Sequence, residues 1–421
     1  MTAPRHLCVT NARLDGETVA LRAVDGVITA IGPDVSPEDG DQILEAGDQI
    51  LSPPLVNGHT HAAMTLFRGH GDDLPLMRWL QEAIWPVEAK LEATDVYWGT
   101  RLACLEMIRT GTTRFWDMYW QPRAVADAVV DAGIRAVIGP PMIDPKSDSD
   151  LEGRNESLLD DLDALTGLDP RIGAAVAPHS IYTVQSSSLE FAASTAAGLG
   201  LPVQIHLSET EPEVDDCVAE YGVRPAFYLD SLGLLTPQTV LAHGVWLDQD
   251  ELELISERGS TVTTNPVANM KLAVGGVFPY PAAAKTGVNI ALGTDGAGSN
   301  NSLDLLADLK QFALVQRHHA GSAGAIPAED AWAIATGRRS PLTGDPDPLA
   351  PGKPADFLLL DAESHELALG DLTSNLVYTA SGSVVKTTVV DGKVLMKDRQ
   401  VEGADETVAK AREAAKRLGL A

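Results

Sequence analysis

The amino-acid sequence predicts an α/β protein: a (β/α)8 TIM barrel inserted into a small composite β-sandwich domain formed by both termini. Three observations carry this expectation. Between residues 53 and 345, short apolar strands alternate with longer helical stretches. Short alternating strands with Asp-Gly turns flank that region on both sides. Histidines and an aspartate fall at the predicted C-terminal ends of the strands, where barrels of this kind build their sites.

Residues 1–52 read as alternating strands broken at Asp15-Gly16, Asp25-Gly26 and Asp39-Gly40, dipeptides that suit tight hairpins. At Ser52-Pro53-Pro54 the pattern changes. Eight barrel strands are predicted at 55–61, 113–119, 136–143, 172–179, 203–207, 240–243, 261–265 and 288–295. Amphipathic stretches at 95–109, 122–132 and 248–258 supply helices between them. Over 346–421 the β pattern returns, with strands at 355–360, 376–378, 384–390 and 394–396 before a closing helix at 406–418. The two outer segments are expected to join as one module.

At 421 residues the chain can bury a large core. Its hydrophobic share is 44%, and no apolar run approaches the ~18 residues that span a bilayer. The N-terminal stretch lacks the basic flank and apolar core of a secretory signal. Cys8, Cys104 and Cys217 have no CxxC spacing, which argues against a thiolate zinc site and a disulfide scaffold and fits a reducing cytoplasm. Acidic residues outnumber basic ones 59 to 31, giving a net charge of −28 spread along the chain. Such a surface repels nucleic-acid polymers and anionic membranes. It reads as that of an ordinary acidic enzyme or, preferentially, of a halophilic one, where salt screens the self-repulsion.

The first barrel strand ends Gly58-His59-Thr60-His61, and residues two apart on a strand share a face. The fifth ends His206-Leu207-Ser208-Glu209, the sixth Ala242-His243-Gly244 and the eighth Gly293-Thr294-Asp295-Gly296. Alone, a His-x-His pair is more often structural, and an Asp before Gly is usually a turn residue. Together they differ, because half of the 10 histidines (His59, His61, His179, His206, His243) sit at the ends of four separate strands. His59, His61, His206 and Asp295 are the expected ligands of one divalent metal ion per subunit, zinc first and iron as the alternative.

The run Pro53-Pro54-Leu55-Val56-Asn57-Gly58-His59-Thr60-His61-Ala62-Ala63-Met64-Thr65-Leu66-Phe67-Arg68-Gly69 resembles the first-strand motif of the amidohydrolase superfamily. His206-x-x-Glu209, Ala242-His243 and Gly293-Thr294-Asp295-Gly296-Ala297-x-Ser299-Asn300-Asn301 are similar to its later motifs in order and spacing. Pro351-Gly352-Lys353-Pro354-Ala355-Asp356 resembles the family's return to the β module. Binuclear members bridge two metals with a carbamylated lysine at the end of the fourth strand. Here that strand ends Ala177-Pro178-His179-Ser180, and no lysine occurs between Lys146 and Lys271. The resemblance therefore implies the mononuclear, deaminase branch.

Within that branch the chain resembles deaminases of 5′-methylthioadenosine, S-adenosylhomocysteine and 5′-deoxyadenosine, through Trp79-Leu80-Gln81-Glu82-Ala83-Ile84-Trp85-Pro86-Val87-Glu88. The implied reaction is hydrolytic deamination of an adenine nucleoside at C6 by hydroxide formed on the metal, which lowers the pKa of water toward ~7. Asp295 would take the hydroxide proton, Glu209 would protonate a ring nitrogen and serve the leaving group, and His243 would hydrogen-bond the attacking oxygen. Glu88 is implied to bind the ribose diol, Trp79 to pack on the ligand and His179 to contact the purine. The plainer readings are core packing for Trp79, a helix-surface charge for Glu88 and an exposed carboxylate for Glu209.

Arg154 resembles one of two arginines that clamp a homocysteine carboxylate in relatives, but the other position lies in Ile138-Gly139-Pro140-Pro141. This favours an uncharged 5′ substituent. Thr264 stands where relatives often carry histidine. The alternative enzyme reading is hydrolysis of another aminated or halogenated heterocycle of guanine, cytosine or s-triazine type, in which a ribose-binding Glu88 has no use. A ligand-stripped assembly protein is opposed by the intact ligand set. Family precedent implies a homo-oligomer, with Arg154 able to reach a neighbour's pocket.

Overall fold

The computed structural model describes residues 5–144 and 151–421. The barrel consists of eight parallel strands: β1 (Leu55–Thr60), β2 (Thr112–Met118), β3 (Arg135–Gly139), β4 (Ile172–Ala174), β5 (Val203–Leu207), β6 (Thr239–His243), β7 (Thr261–Thr264) and β8 (Asn289–Leu292). Strands β1 to β4 form one ladder and β5 to β8 another. Val176 bridges Val203 and Ser180 bridges His206, joining the ladders on one side. On the other, the Asp295 amide donates to the His59 carbonyl at 3.1 Å, and the Asn57 amide donates to the Thr294 hydroxyl at 2.7 Å. The ring is closed, and its second seam leans on polar side chains.

Local sequence explains where strands stop. Pro140 and Pro141 bring no N–H to a ladder, so the strand expected over 136–143 breaks after Gly139. A short pairing of Pro141–Met142 with Ala177–Pro178 resumes it. The eighth strand also ends earlier than expected, before Asp295 turns into the left-handed region at φ 60. Helix Pro122–Ala132 has the predicted bounds, and helix Gln249–Arg258 starts at a reciprocal cap between Asp248 and Glu251.

One element differs in type. Residues 376–378, expected as a strand, lie in helix Leu372–Tyr378. The Asp371 carboxylate accepts the Ser374 N–H at 2.7 Å and starts that helix. Three apolar residues are too few to show a period of two or of 3.6.

Strands from both ends of the chain form a single nine-stranded sheet. Ile50–Ser52 pairs antiparallel with Phe357–Leu360, Leu51 opposite Leu359, which ties the N-terminal strands to the C-terminal ones. The sheet has a core of its own, with Val9, Leu21, Ile28, Leu51, Phe357 and Val389 buried together. Asp25 and Asp391 adopt φ 48 and 54 ahead of left-handed glycines, the geometry of the tight hairpins their dipeptides announce. Among the described residues, no helix is long and apolar enough to cross a membrane.

Candidate metal centre and active site

The C-terminal ends of β1, β5, β6 and β8 converge at one end of the barrel. His59 Nε2 lies 3.5 Å and His61 Nε2 3.3 Å from the same oxygen, Asp295 Oδ1. His206 Nε2 is 3.4 Å from His61 Nε2. Three imidazole nitrogens and one carboxylate oxygen thus face a common point. His59 Nε2 and Asp295 Oδ1 are buried with no hydrogen-bond partner, a costly state for polar atoms unless a further group satisfies them. The donor set therefore fits a cation. Two overlapping trios could hold one, His59 with His61 and Asp295, and His59 with His206 and His243.

Each candidate ligand is aimed by a neighbour. His61 Nδ1–H donates to the Met118 carbonyl and His206 Nδ1–H to the His179 carbonyl, both at 2.6 Å, which leaves each Nε2 as a lone pair. The Gln204 amide lies 2.8 Å from His59 Nδ1. Ser299 donates its hydroxyl to Asp295 Oδ2 at 2.6 Å. Burial pushes the His59 imidazole down to about 4 and His206 well below its ordinary value, so both stay neutral near pH 7, as ligands must. Burial opposes ionisation of Asp295, but the surrounding imidazoles hold it well below the usual carboxylate range.

Glu209 and His243 stand beside this cluster. The Glu209 carboxylate is 3.8 Å from His243 Nδ1, and His243 Nδ1–H donates to Asn269 Oδ1 at 2.8 Å. Burial raises Glu209 above the ordinary glutamate value, the direction that favours a proton carrier. Burial disfavours the His243 cation, yet Glu209 and Asp295 together raise its pKa. Ser208, His243 and Asp295 adopt φ 50, 76 and 60, so the exits of β5, β6 and β8 all use left-handed backbone that side-chain-bearing residues rarely adopt.

The same pocket is walled by the segment after β1. A π-helical turn, Trp79–Ile84, interrupts an otherwise α-helical stretch and is followed by helix Trp85–Glu88. Trp79 and Glu88 both line the pocket with His61, His206, Glu209 and Asp295. Glu88 Oε1 accepts the Tyr119 hydroxyl at 2.9 Å, and burial raises the Glu88 pKa. His179 lines the pocket too, its ring 4.6 Å from that of His206 and its Nδ1 2.9 Å from the Thr183 hydroxyl. Beyond Glu88 the pocket opens into a cavity of about 890 Å³.

Arg154 is the one sequence-selected residue that lies elsewhere. Its guanidinium pairs with Asp144 at 3.0 Å, and it lines a neighbouring cavity together with Pro140. Sequence reasoning missed Gln204, Tyr119, Asn269 and Glu213. Of these only Gln204 carried a signal, two residues before His206 on the same strand face. Tyr119 and Asn269 meet the site through folds of the chain that no local spacing records, and Glu213 through a local turn that reads as a helix start.

Comparison with known proteins agrees with this geometry. The amidohydrolase family profile matches residues 50–395. A 5′-deoxyadenosine deaminase of Methanoregula boonei is 45% identical over 384 residues, covering 90% of this chain and 87% of the relative. A 5-methylthioadenosine/S-adenosylhomocysteine deaminase of Moorella thermoacetica is 42% identical over 370 residues, covering 87% of this chain and 86% of the relative. The crystal structure of an adenosine deaminase from Xanthomonas campestris with bound zinc superposes with a TM-score of 0.90 at 35% identity, covering 99% of this chain and 98% of that one. With the family profile spanning the whole barrel, this chain belongs to the amidohydrolase family.

Proposed function

We propose that this protein hydrolytically deaminates adenine nucleosides of the 5′-deoxyadenosine, 5′-methylthioadenosine or adenosine type at C6, releasing ammonia. One observation carries the reading: Glu88 shares a pocket with the cation cluster and Glu209, so one cavity offers a carboxylate for a diol and the machinery for a C–N bond. The names of the deaminase relatives support the same class.

His59, His61, His206 and Asp295 would hold a divalent cation, and its Lewis acidity would lower the pKa of water toward ~7. Zinc is the first assignment and iron the alternative, since the same donors accept both. Asp295 accepts a proton from the attacking water, and Glu209 delivers one to N1 of the ring. The water oxygen bonds to C6, and its second proton passes by way of Glu209 to the amino group. The C6–N bond then breaks, ammonia departs, and the ring keeps a carbonyl at C6. His243 donates a hydrogen bond to the oxygen on which charge develops. Glu88 accepts from the two ribose hydroxyls, which a carboxylate can do with both oxygens. Trp79 packs on the ligand and His179 contacts the purine.

The wide cavity beyond Glu88 suits a 5′ substituent, and Arg154, occupied by Asp144, supports an uncharged one. The nine-stranded sheet with its own core supports reading 1–52 and 346–421 as one small β-sandwich around a barrel at 53–345. The net charge of −28 supports a salt-adapted enzyme, the three free cysteines support a reducing cytoplasm, and a homo-oligomer follows family habit. The test is ammonia release in high salt from 5′-deoxyadenosine, 5′-methylthioadenosine, adenosine, S-adenosylhomocysteine, guanine and a chlorotriazine. Uncharged 5′-substituted adenosines should lead; turnover of guanine or the triazine alone would transfer the assignment to the heterocycle hydrolases.

A further inference from the structure

The stretch Glu209-Thr210-Glu211-Pro212-Glu213 opens helix Glu211–Tyr221, with Thr210 as its cap. A capping box would return the Glu213 carboxylate to the Thr210 N–H. Here it reaches further back along the chain. Glu213 Oε1 accepts the Ser208 N–H and Oε2 accepts the Glu209 N–H, each at 2.8 Å. These two donors have just left the ladder, because β5 ends at Leu207. Ser208 holds the left-handed bend at φ 50, a conformation that costs a side-chain-bearing residue free energy. From the opposite side the Ser208 carbonyl accepts the Trp246 N–H at 2.9 Å. The bend is gripped from two directions, and it decides where the next side chain points.

We infer that Glu213 is a positioning residue that holds Glu209 in its reactive direction, a role that rests on the deaminase reading above. Two N–H groups side by side require two acceptors, and only a carboxylate supplies both. An amide at this position keeps one acceptor and turns its own N–H₂ against the second donor. Glu213 is 5% exposed, so water does not replace the lost acceptor cheaply. Without the clamp Ser208 relaxes toward extended backbone, and Glu209 swings away from His243 and the cation cluster. Such a displacement of a reacting group costs on the order of 10²-fold in rate.

The experiment compares Glu213→Gln and Glu213→Ala with the parent enzyme on the adenosine it turns over fastest. Expected is a fall in kcat of roughly 10- to 100-fold for Ala and a smaller fall for Gln, with KM and bound metal little changed. In a Glu209→Gln background, Glu213→Ala should cost little more, because both act through one proton carrier. Hydrogen exchange of the Ser208 and Glu209 amides should quicken in both Glu213 variants even without substrate. Additive losses in the double variant, or a lowered Tm with unchanged kcat, would overturn the assignment and leave Glu213 as a helix cap. If the parent releases ammonia from no adenosine, the deaminase reading falls, while the exchange rates still decide whether the clamp exists.

Discussion

The Gln204 side-chain amide lies 2.8 Å from His59 Nδ1, and both residues are fully buried. The contact fixes which imidazole nitrogen can meet a cation. Gln204 Nε2 faces the ring while its Oε1 is buried without a partner; an amide flip, which exchanges the two, lets Nδ1–H donate to Oε1 and leaves the ring Nε2 its lone pair, facing Asp295 Oδ1. Gln204→Leu removes the acceptor and leaves the ring free to take the other tautomer. It should weaken metal affinity about 10- to 100-fold, measured by competition with a chromophoric chelator.

Stripping the metal should abolish ammonia release, because the chemistry needs an acidified water and the described side chains supply none. Dialysis against a chelator followed by added Zn²⁺ or Fe²⁺ tests this, with the restored rate also identifying the preferred ion. His61→Ala should bind the ion far more weakly, since it removes a nitrogen 3.3 Å from Asp295 Oδ1. Activity that persists in fully metal-free protein would defeat the assignment.

Tyr119 supports the sugar end of the pocket through its hydroxyl, 2.9 Å from Glu88 Oε1. Burial raises the Glu88 pKa, and this hydrogen bond opposes the rise. Tyr119→Phe should therefore raise KM for nucleosides by roughly 10-fold, the worth of a buried hydrogen bond to a charged group. Free adenine, which has no diol, should be handled equally by variant and parent.

Gly293 carries a steric demand at the seam. A Cβ there would meet Asn265 Oδ1 and lie 2.9 Å from the His59 carbonyl. Gly293→Ala should destabilise the fold by about 1–3 kcal/mol through overpacking and displace His59. A urea titration measures the first effect, and metal content after gel filtration the second.

Cys104 gives a pH signature. It is fully buried, and burial pushes its thiol up from 9.0 to about 12. The folded chain thus keeps a proton that the unfolded chain releases near 9. Stability must fall as pH rises from about 9 toward about 12, with no contribution from this residue below that window. Cys104→Ala should show a shallower alkaline decline in Tm than the parent. A thiol reagent should label the native protein only at the rate of unfolding, because Cys8 and Cys217 are buried as well.

The barrel was legible because its strands are short, mostly buried stretches rich in β-branched and apolar residues that alternate with helical segments. His59, His61, His206 and Asp295 were legible because each ends a strand, and strand ends of a closed ring must meet. Three apolar residues at 376–378 misled because helix and strand look alike at that length, and only the Asp371 cap separates them. Tyr119, Asn269 and Glu213 were invisible for a different reason. Glu88 and His243 meet Tyr119 and Asn269 by tertiary folding, which leaves no periodic trace, whereas Glu213 lies four residues from Glu209 and Thr210-x-x-Glu213 reads as an ordinary helix start. Arg154 shows the converse: local similarity selected it, and a neighbouring carboxylate occupies it.

The second seam of the ring also sets an order of events. Asp295 follows the last strand and hydrogen-bonds back to the carbonyl of His59 on the first. A growing chain that has emerged only through its seventh strand presents imidazoles alone, without the counter-charge that makes them a strong trap. A cation at these residues would meet its full donor set only once the ring has closed. Before that closure the chain offers imidazoles alone, and closure adds the carboxylate that completes the set.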